Sequence, residues 1–162
     1  MKTTTLFWLS LVICGSCWTS DAYSQHLISS SIDSPAICRN YNASEATDID
    51  YLPSAVRNLN SSSRYVICPL VVPIPLGRTS YYVQADVAGS VGPNQSITCT
   101  LFSYSSGSGT YLGSSSFTFP YSTFKYGLVV PADAFAGASV LCLLPGSAGG
   151  QLTQLAVSVI TN

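Results

Sequence analysis

The chain has 162 residues, of which 47% are hydrophobic and only 8% charged, and its formal net charge is −1. After an N-terminal export signal this length allows one ordinary domain, and the apolar content is enough to fold it. Nucleic acid and anionic membrane surfaces require clustered cations, so neither is an expected partner. The basic residues beyond the signal stand singly: Arg39, Arg57, Arg64, Arg78 and Lys125.

The first residues are typical of an export signal. A positive start is followed by an apolar run over residues 6–14, which is too short to anchor in a bilayer. Ala22 and Ser24 have the spacing that signal peptidase requires, so we predict removal of residues 1–24 and a secreted or periplasmic protein without a transmembrane segment. Lipid attachment at Cys17 is the alternative.

Beyond the signal, short apolar stretches alternate with clusters of Gly, Pro, Asn and Ser, and no long helix is indicated. We predict an irregular lead-in over residues 25–36 and an all-β domain over residues 37–162. The expected fold is a single antiparallel β-sandwich, jelly-roll or immunoglobulin-like, with seven or eight strands and two disulfides. The clearest strands cover residues 64–70, 79–88, 96–104, 115–119, 125–130, 138–144 and 152–161. A weaker strand covers residues 55–59, and residues 45–51 could form a strand or a helical turn.

Four cysteines remain after the signal, on or beside predicted strands, and an even set in a small exported domain predicts disulfides. Four cysteines permit three connectivities. Short loops and neighbouring strands favour Cys38 with Cys68 and Cys99 with Cys142.

Metal and cofactor chemistry have few candidate residues. Residues 25–162 contain no CxxC pair and one histidine, His26, so neither a zinc site nor a cofactor is expected. The acidic loop near residue 45 offers oxygen ligands but has no EF-hand spacing, which leaves Asp48 and Asp50 as weak calcium candidates.

Catalysis is not expected either. A serine triad would need His26, and no GxSxG motif is present. A hydrolase would need two converging carboxylates. The candidates stand in no recognisable motif: Glu45, Asp48, Asp50, Asp86 and Asp133.

Aromatic residues carry the remaining functional signal. Strands 79–88 and 96–104 have matching alternation, and we predict that they pair as a hairpin, with Cys99 opposite Ala85 and Tyr82 opposite Phe102. Aromatic rings flanked by amide, carboxylate and hydroxyl groups are typical of a sugar-binding surface. The stronger interpretation of an outward aromatic pair is structural: the rings stabilise the hairpin or are covered by a loop such as residues 105–116. The candidate binding residues are Tyr82, Gln84, Asp86, Phe102 and Tyr104.

Four short motifs carry a resemblance to a known group: ATDIDYL at residues 46–52, VRNLN at 56–60, VICPL at 66–70 and CTL at 99–101. Together they resemble small exported bacterial proteins of unassigned function that have single β-rich domains. The resemblance implies an extracytoplasmic bacterial setting and supplies no functional residues.

Two classes of function follow from these observations. The first is a non-enzymatic module that binds a carbohydrate or another cell-surface component. The second is a structural or assembly subunit, which would offer an exposed edge strand to a partner, with residues 152–161 as the candidate. A hydrolase is the third and weakest hypothesis.

Overall fold

The computed structural model describes residues 26–73, 79–120 and 122–161, so the predicted signal and Cys17 lie outside the described residues. Eleven strands occupy these ranges: β1 (His26–Asp33), β2 (Arg39–Asn40), β3 (Ile49–Leu52), β4 (Ala55–Asn58), β5 (Arg64–Leu70), β6 (Ser80–Val91), β7 (Ile97–Ser105), β8 (Tyr111–Phe119), β9 (Ser122–Asp133), β10 (Ala136–Leu144) and β11 (Gly150–Thr161). Two single 3-10 turns, Pro35–Ile37 and Ala43–Glu45, join the early strands.

The strands form two antiparallel sheets, which confirms the predicted β-sandwich. Sheet A has the order β3-β4-β11-β6-β9, and β1 pairs with β11 beyond the end of β4. Sheet B has the order β2-β5-β10-β7-β8. The prediction of seven or eight strands was too low, because the short strands β2 and β3 and the N-terminal strand β1 add to those that the sequence indicated.

Alternation of side chains explains how the two sheets meet. In β6, buried residues alternate with more exposed ones from Tyr81 to Val91, and β7 repeats the pattern from Ile97 to Ser105. Alternating apolar positions place one face of each strand in the core. The predicted inward sets are confirmed, since each of these side chains is at most 3% exposed: Tyr81, Val83, Ala85, Val87, Ile97, Cys99 and Leu101.

Both predicted disulfides are present: one lies within sheet B, and the other joins the residue before β2 to a strand of the same sheet. Cys99 of β7 faces Cys142 of β10 directly across the strand pair, with their Cα atoms 4.1 Å apart. Cys38 immediately precedes β2 and is bonded to Cys68 of β5, with a Cα separation of 3.9 Å. All four cysteines are fully buried. The disulfides therefore join neighbouring strands of one sheet and do not connect the two sheets.

Three predictions about local structure were wrong or incomplete. The irregular lead-in over residues 25–36 is instead β1 followed by a 3-10 turn. The open segment 45–51 contains both alternatives, because the 3-10 turn at Ala43–Glu45 precedes β3. Residues 152–161 are not an exposed edge: β11 pairs with β6 on one side and with β4 and β1 on the other.

A buried amide fixes the loop that connects β10 and β11. Asn58 is fully buried, and its Nδ2 donates to the carbonyl oxygens of Ser62, Pro145 and Leu144 at 2.8, 3.2 and 3.4 Å. Its Oδ1 accepts the Asn60 N–H at 2.9 Å. Every polar atom of this side chain is therefore satisfied, as burial requires.

The described residues also bear on membrane topology. In residues 26–73, 79–120 and 122–161, no helix has the length and apolar character needed to cross a bilayer.

Candidate functional site

The predicted hairpin between residues 79–88 and 96–104 does not form. β6 pairs with β9 and β11 in sheet A, whereas β7 pairs with β8 and β10 in sheet B. The inward faces of β6 and β7 meet across the core, so their outward faces point away from each other. The five candidate binding residues are thus divided between opposite surfaces of the sandwich, and Tyr82 does not lie across from Phe102.

On the outer face of sheet A, the polar candidates bind each other. Gln84 Nε2 donates to Asp86 Oδ1 at 2.8 Å. Gly127 of β9 faces Asp86, and a Cβ added there would lie 2.9 Å from Asp86 Oδ1 and 3.0 Å from Gln84 Nε2. The two side chains therefore lean over the bare backbone of Gly127. Tyr82 is 38% exposed two residues before Gln84 and belongs to no ring pair of the described residues.

On the outer face of sheet B, three aromatic rings form a continuous group. The rings of Phe102 and Tyr104 are stacked with centroids 6.4 Å apart and planes at 26°. Tyr111 of β8 lies 5.6 Å from Tyr104 at 59°. We call Phe102, Tyr104 and Tyr111 the aromatic platform. Tyr104 is 41% and Tyr111 53% exposed, so ring surface is available to a ligand.

A β-bulge brings Tyr111 into this group. Ser103 pairs with Gly113, but the next residue, Tyr104, pairs with Tyr111, which leaves Leu112 as the extra residue. Leu112 packs against the core instead. A bulge interrupts the two-residue period and redirects side chains. Sequence reasoning missed Tyr111 because it lies in a segment that reads as a Ser- and Gly-rich loop.

Small side chains surround the platform. Gly137 of β10 is opposite Tyr104, and Ser139 is opposite Phe102. A Cβ added at Gly137 would have no neighbour closer than the Tyr104 carbonyl oxygen at 4.0 Å, so the space above it is open. On the other side, Tyr111 OH donates to Ser114 Oγ at 2.7 Å. A glycine and two serines thus flank the rings.

Hydroxyl groups continue the same face toward the start of β7. The Thr98 and Thr118 hydroxyls are 2.9 Å apart, and Thr100 Oγ1 donates to Ser116 Oγ at 3.0 Å. Each hydroxyl has one donor and two acceptor positions, so these pairs keep acceptor capacity for a ligand. The face as a whole offers ring surface and hydroxyl groups.

The carboxylates expected for calcium binding or hydrolysis are held by arginines. Arg64 Nε lies 2.7 Å from Asp48 Oδ2 and 3.7 Å from Glu45 Oε1, and Arg57 is 2.8 Å from Asp50 Oδ2. The hydrogen bond from Arg64, followed by one from Asn60, lowers the pKa of Asp48. A lowered pKa keeps this group ionised, which is the opposite of what a general acid needs.

The remaining carboxylates do not join that group. Asp86 is bound to Gln84 on sheet A, and Asp133 Oδ1 accepts the Phe135 N–H at the turn before β10. Within the described ranges, no three His, Cys, Asp or Glu side chains are grouped to hold a metal ion. Asp48 binds Arg64 and Asp50 binds Arg57, so each of the two calcium candidates already has a cationic partner.

A cavity of about 350 Å³ lies at the opposite end of the sandwich, beside the start of β7. Among the described residues, its lining has no aromatic or charged side chain and consists largely of backbone: Ser90, Val91, Gly92, Ala148, Gly149, Gly150 and Gln151. The cavity lacks the ring surface that distinguishes the aromatic platform.

Comparison with known proteins gives distant structural similarities. No family model and no curated protein matches the chain. A solved structure of TmCBM61 in complex with β-1,4-galactotriose is similar at 12% identity and a TM-score of 0.44, over 86% of this chain and 90% of that one.

Two further solved structures are similar, with comparably low sequence identities and TM-scores. One is a CBM35 from Paenibacillus barcinonensis, at 8% identity and a TM-score of 0.42, over 86% of this chain and 94% of that one. The other is the C-terminal CBM6 of LamC, a marine laminarinase from Zobellia galactanivorans, at 15% identity and a TM-score of 0.37, over 82% and 92%. Similarities this distant identify neither a ligand nor a binding site for this chain.

Proposed function

We propose that this protein is a non-enzymatic extracellular module that binds carbohydrate on the aromatic platform of sheet B. The observation that carries the proposal is the side-by-side arrangement of Phe102, Tyr104 and Tyr111 on one open face. The proposal keeps Phe102 and Tyr104 from the sequence-based set and adds Tyr111. It gives no role to Tyr82, Gln84 and Asp86, which lie on the other sheet.

The chemistry of the face fits sugars. A sugar ring has an apolar side made of C–H groups, which packs against an aromatic ring, and an edge of hydroxyls that require hydrogen bonds. The platform supplies the rings, and the hydroxyls of Ser114, Thr100 and Ser116 lie on the same face. Rings fixed on a sheet lose little conformational entropy on binding, because their strands already hold them in place.

The setting supports an extracellular role. Two buried disulfides form and persist in oxidising compartments, which agrees with the predicted export signal. The motif resemblance to exported bacterial proteins extends the proposal to a bacterial cell surface or periplasm. Whether the protein is free or attached through Cys17 is decided by mass spectrometry of the mature N-terminus.

Binding to a panel of polysaccharides tests the proposal, measured by affinity electrophoresis and then by titration calorimetry on each ligand retained. Tyr104→Ala should weaken binding at least about tenfold, which corresponds to a stacking contribution of about 1.4 kcal/mol. Tyr82→Ala is the matched control, because Tyr82 is 38% exposed against 41% for Tyr104 but lies on sheet A. The control should bind as the wild type does.

A blocking variant tests the same face without removing a ring. Gly137→Val adds a side chain beside Tyr104 at a position where a Cβ meets nothing within 4.0 Å except the Tyr104 carbonyl oxygen. A β-branched residue suits a strand, so the variant should fold at least as stably as the wild type. Binding should nevertheless fall. Undiminished binding by both Tyr104→Ala and Gly137→Val, or loss with Tyr82→Ala alone, would contradict the proposed site.

A further inference from the structure

We infer that the ligand of the aromatic platform is an uncharged polysaccharide and that its binding has no electrostatic component; this inference rests on the proposed function. The observation is the composition of the three strands that form the platform and its surroundings. β7, β8 and β10 together contain no Asp, Glu, Lys, Arg or His. The chain's few charges are thus absent from the centre of this sheet.

Three charged residues that flank these strands in the described part of the chain are already bonded. Asp133, three residues before β10, accepts the Phe135 N–H. Arg64 begins β5, opposite Leu144 of β10, and binds Asp48 and Glu45. Arg39 pairs with Ile67 of β5 and donates to the Cys38 carbonyl oxygen at 3.3 Å. Each of these three described charges therefore has a partner within the protein, which it would have to leave to reach a ligand.

This distribution selects against acidic glycans. Recognition of a carboxylate or sulfate normally uses Arg or Lys, whose charge-assisted hydrogen bonds offset the cost of removing the anion from water. On the platform, such a group would lose water against ring surface and small side chains without gaining a cation. A neutral hexose unit incurs no such cost, because its hydroxyls find neutral hydroxyl partners. A binding face without cations therefore discriminates against anionic glycans in favour of neutral ones.

The other outer face provides an internal comparison. Sheet A carries Asp86 on β6 and Lys125 on β9 at neighbouring positions, where Ala88 pairs with Lys125 and Gly127 with Asp86. Charges are thus tolerated on an outer face of this sandwich. The lack of charged residues on β7, β8 and β10 is therefore specific to the outer face of sheet B, and the sandwich fold does not require it.

A paired polysaccharide panel tests the inference, using neutral β-glucans and galactan beside polygalacturonate and alginate. Dissociation constants are measured with wild-type protein and with Tyr104→Ala at about 10 mM and about 0.5 M sodium chloride, because the Debye length falls from roughly 30 Å to a few ångströms over this range. We expect retention of neutral polymers only, loss of that retention with Tyr104→Ala, and dissociation constants that change less than about twofold with salt.

The outcomes separate the two proposals. Salt-sensitive, Tyr104-dependent binding to polygalacturonate or alginate would overturn the inference and leave the proposed function standing. Retention of no polysaccharide at either salt concentration would overturn the proposed function, and the inference with it.

Discussion

The rings of Phe117 and Tyr126 are stacked 4.1 Å apart with planes 15° from parallel, although Phe117 belongs to sheet B and Tyr126 to sheet A. Their strands, β8 and β9, are the edge strands on the same side of the sandwich. Phe119, which is 1% exposed, packs against both rings at 5.2 and 6.2 Å. This cluster closes the gap between the sheets where the chain passes from one to the other.

Removing one ring of the stack should destabilise the fold. We expect Tyr126→Ala to lower the free energy of unfolding by about 1–2 kcal/mol, because it removes a stacked pair and exposes Phe119. Tyr126→Phe keeps the ring and should change the free energy of unfolding little. Urea denaturation gives both values. An equal loss in both variants would show that the hydroxyl, and not the stack, stabilises this edge.

The buried amide of Asn58 should be more sensitive. Asn58→Ala leaves the carbonyl oxygens of Ser62 and Pro145 and the Asn60 N–H without this partner, at an expected cost of about 3 kcal/mol. Asn40 is the control, since its amide makes a similar bond to the Asn42 carbonyl oxygen but at an exposed site. Asn40→Ala should cost less than about 0.5 kcal/mol. A small effect of Asn58→Ala would mean that water replaces the amide.

Acid stability should depend on Arg64. Arg64 lowers the pKa of Asp48 below its ordinary value of 3.8. The interaction therefore contributes stability above that value and loses it as the pH falls through the lower pKa of the folded protein. Melting temperatures of wild type and Arg64→Gln should differ most near neutral pH and converge in strong acid. Arg39→Gln provides the control, and an Arg64→Gln difference that stays constant with pH would refute the assignment.

The phenol of Tyr81 should affect stability in alkali. This side chain is 3% exposed, and its hydroxyl has no hydrogen-bond partner among the described residues. Burial, and secondarily the charge of Asp133, raise the pKa of Tyr81 above 10.0. The stability contributed by the neutral Tyr81 phenol is thus complete below the pKa of tyrosine in the unfolded chain, and it is lost as the pH rises through the higher pKa in the folded protein.

The Tyr81→Phe variant removes that ionisation. Near neutral pH it should be as stable as the wild type or slightly more so, because no hydrogen bond is lost. Above about pH 10 its melting temperature should exceed that of the wild type. Tyr65→Phe, at a 42% exposed position, should show no such gain. A clear loss of stability at neutral pH would reveal a partner for the Tyr81 hydroxyl.

Strand positions and burial could be read from the sequence, but strand partners could not. Alternation in β6 and β7 identified their inward residues correctly, because a two-residue period reports which side of a strand is apolar. The same period is satisfied whether two strands pair within a sheet or face each other across a core. Residues 92–96 connect β6 in one sheet to β7 in the other, so the two strands face each other across the core. The predicted hairpin register was therefore wrong, although the predicted buried residues were right.

The incomplete reading of the platform has a similar cause. Tyr111 escaped prediction because its Ser- and Gly-rich segment reads as a loop, and the bulge that places its ring beside Tyr104 leaves no periodic signal. β1 was missed because HLISSSID does not show clear alternation of apolar and polar residues. The cysteine pairing was predicted correctly, since short loops between neighbouring strands made it the simplest of three connectivities.

Both disulfides join segments of sheet B, so they also restrict which strands can separate when the protein unfolds. When the oxidised protein unfolds, Cys99 remains covalently opposite Cys142, and Cys38 remains bonded to Cys68. Refolding thus begins with β7 beside β10 and with β2 beside β5, so a one-residue slip that would turn the platform rings inward is disfavoured from the start. Sheet A has no such tether, and its strands must find their register by pairing alone.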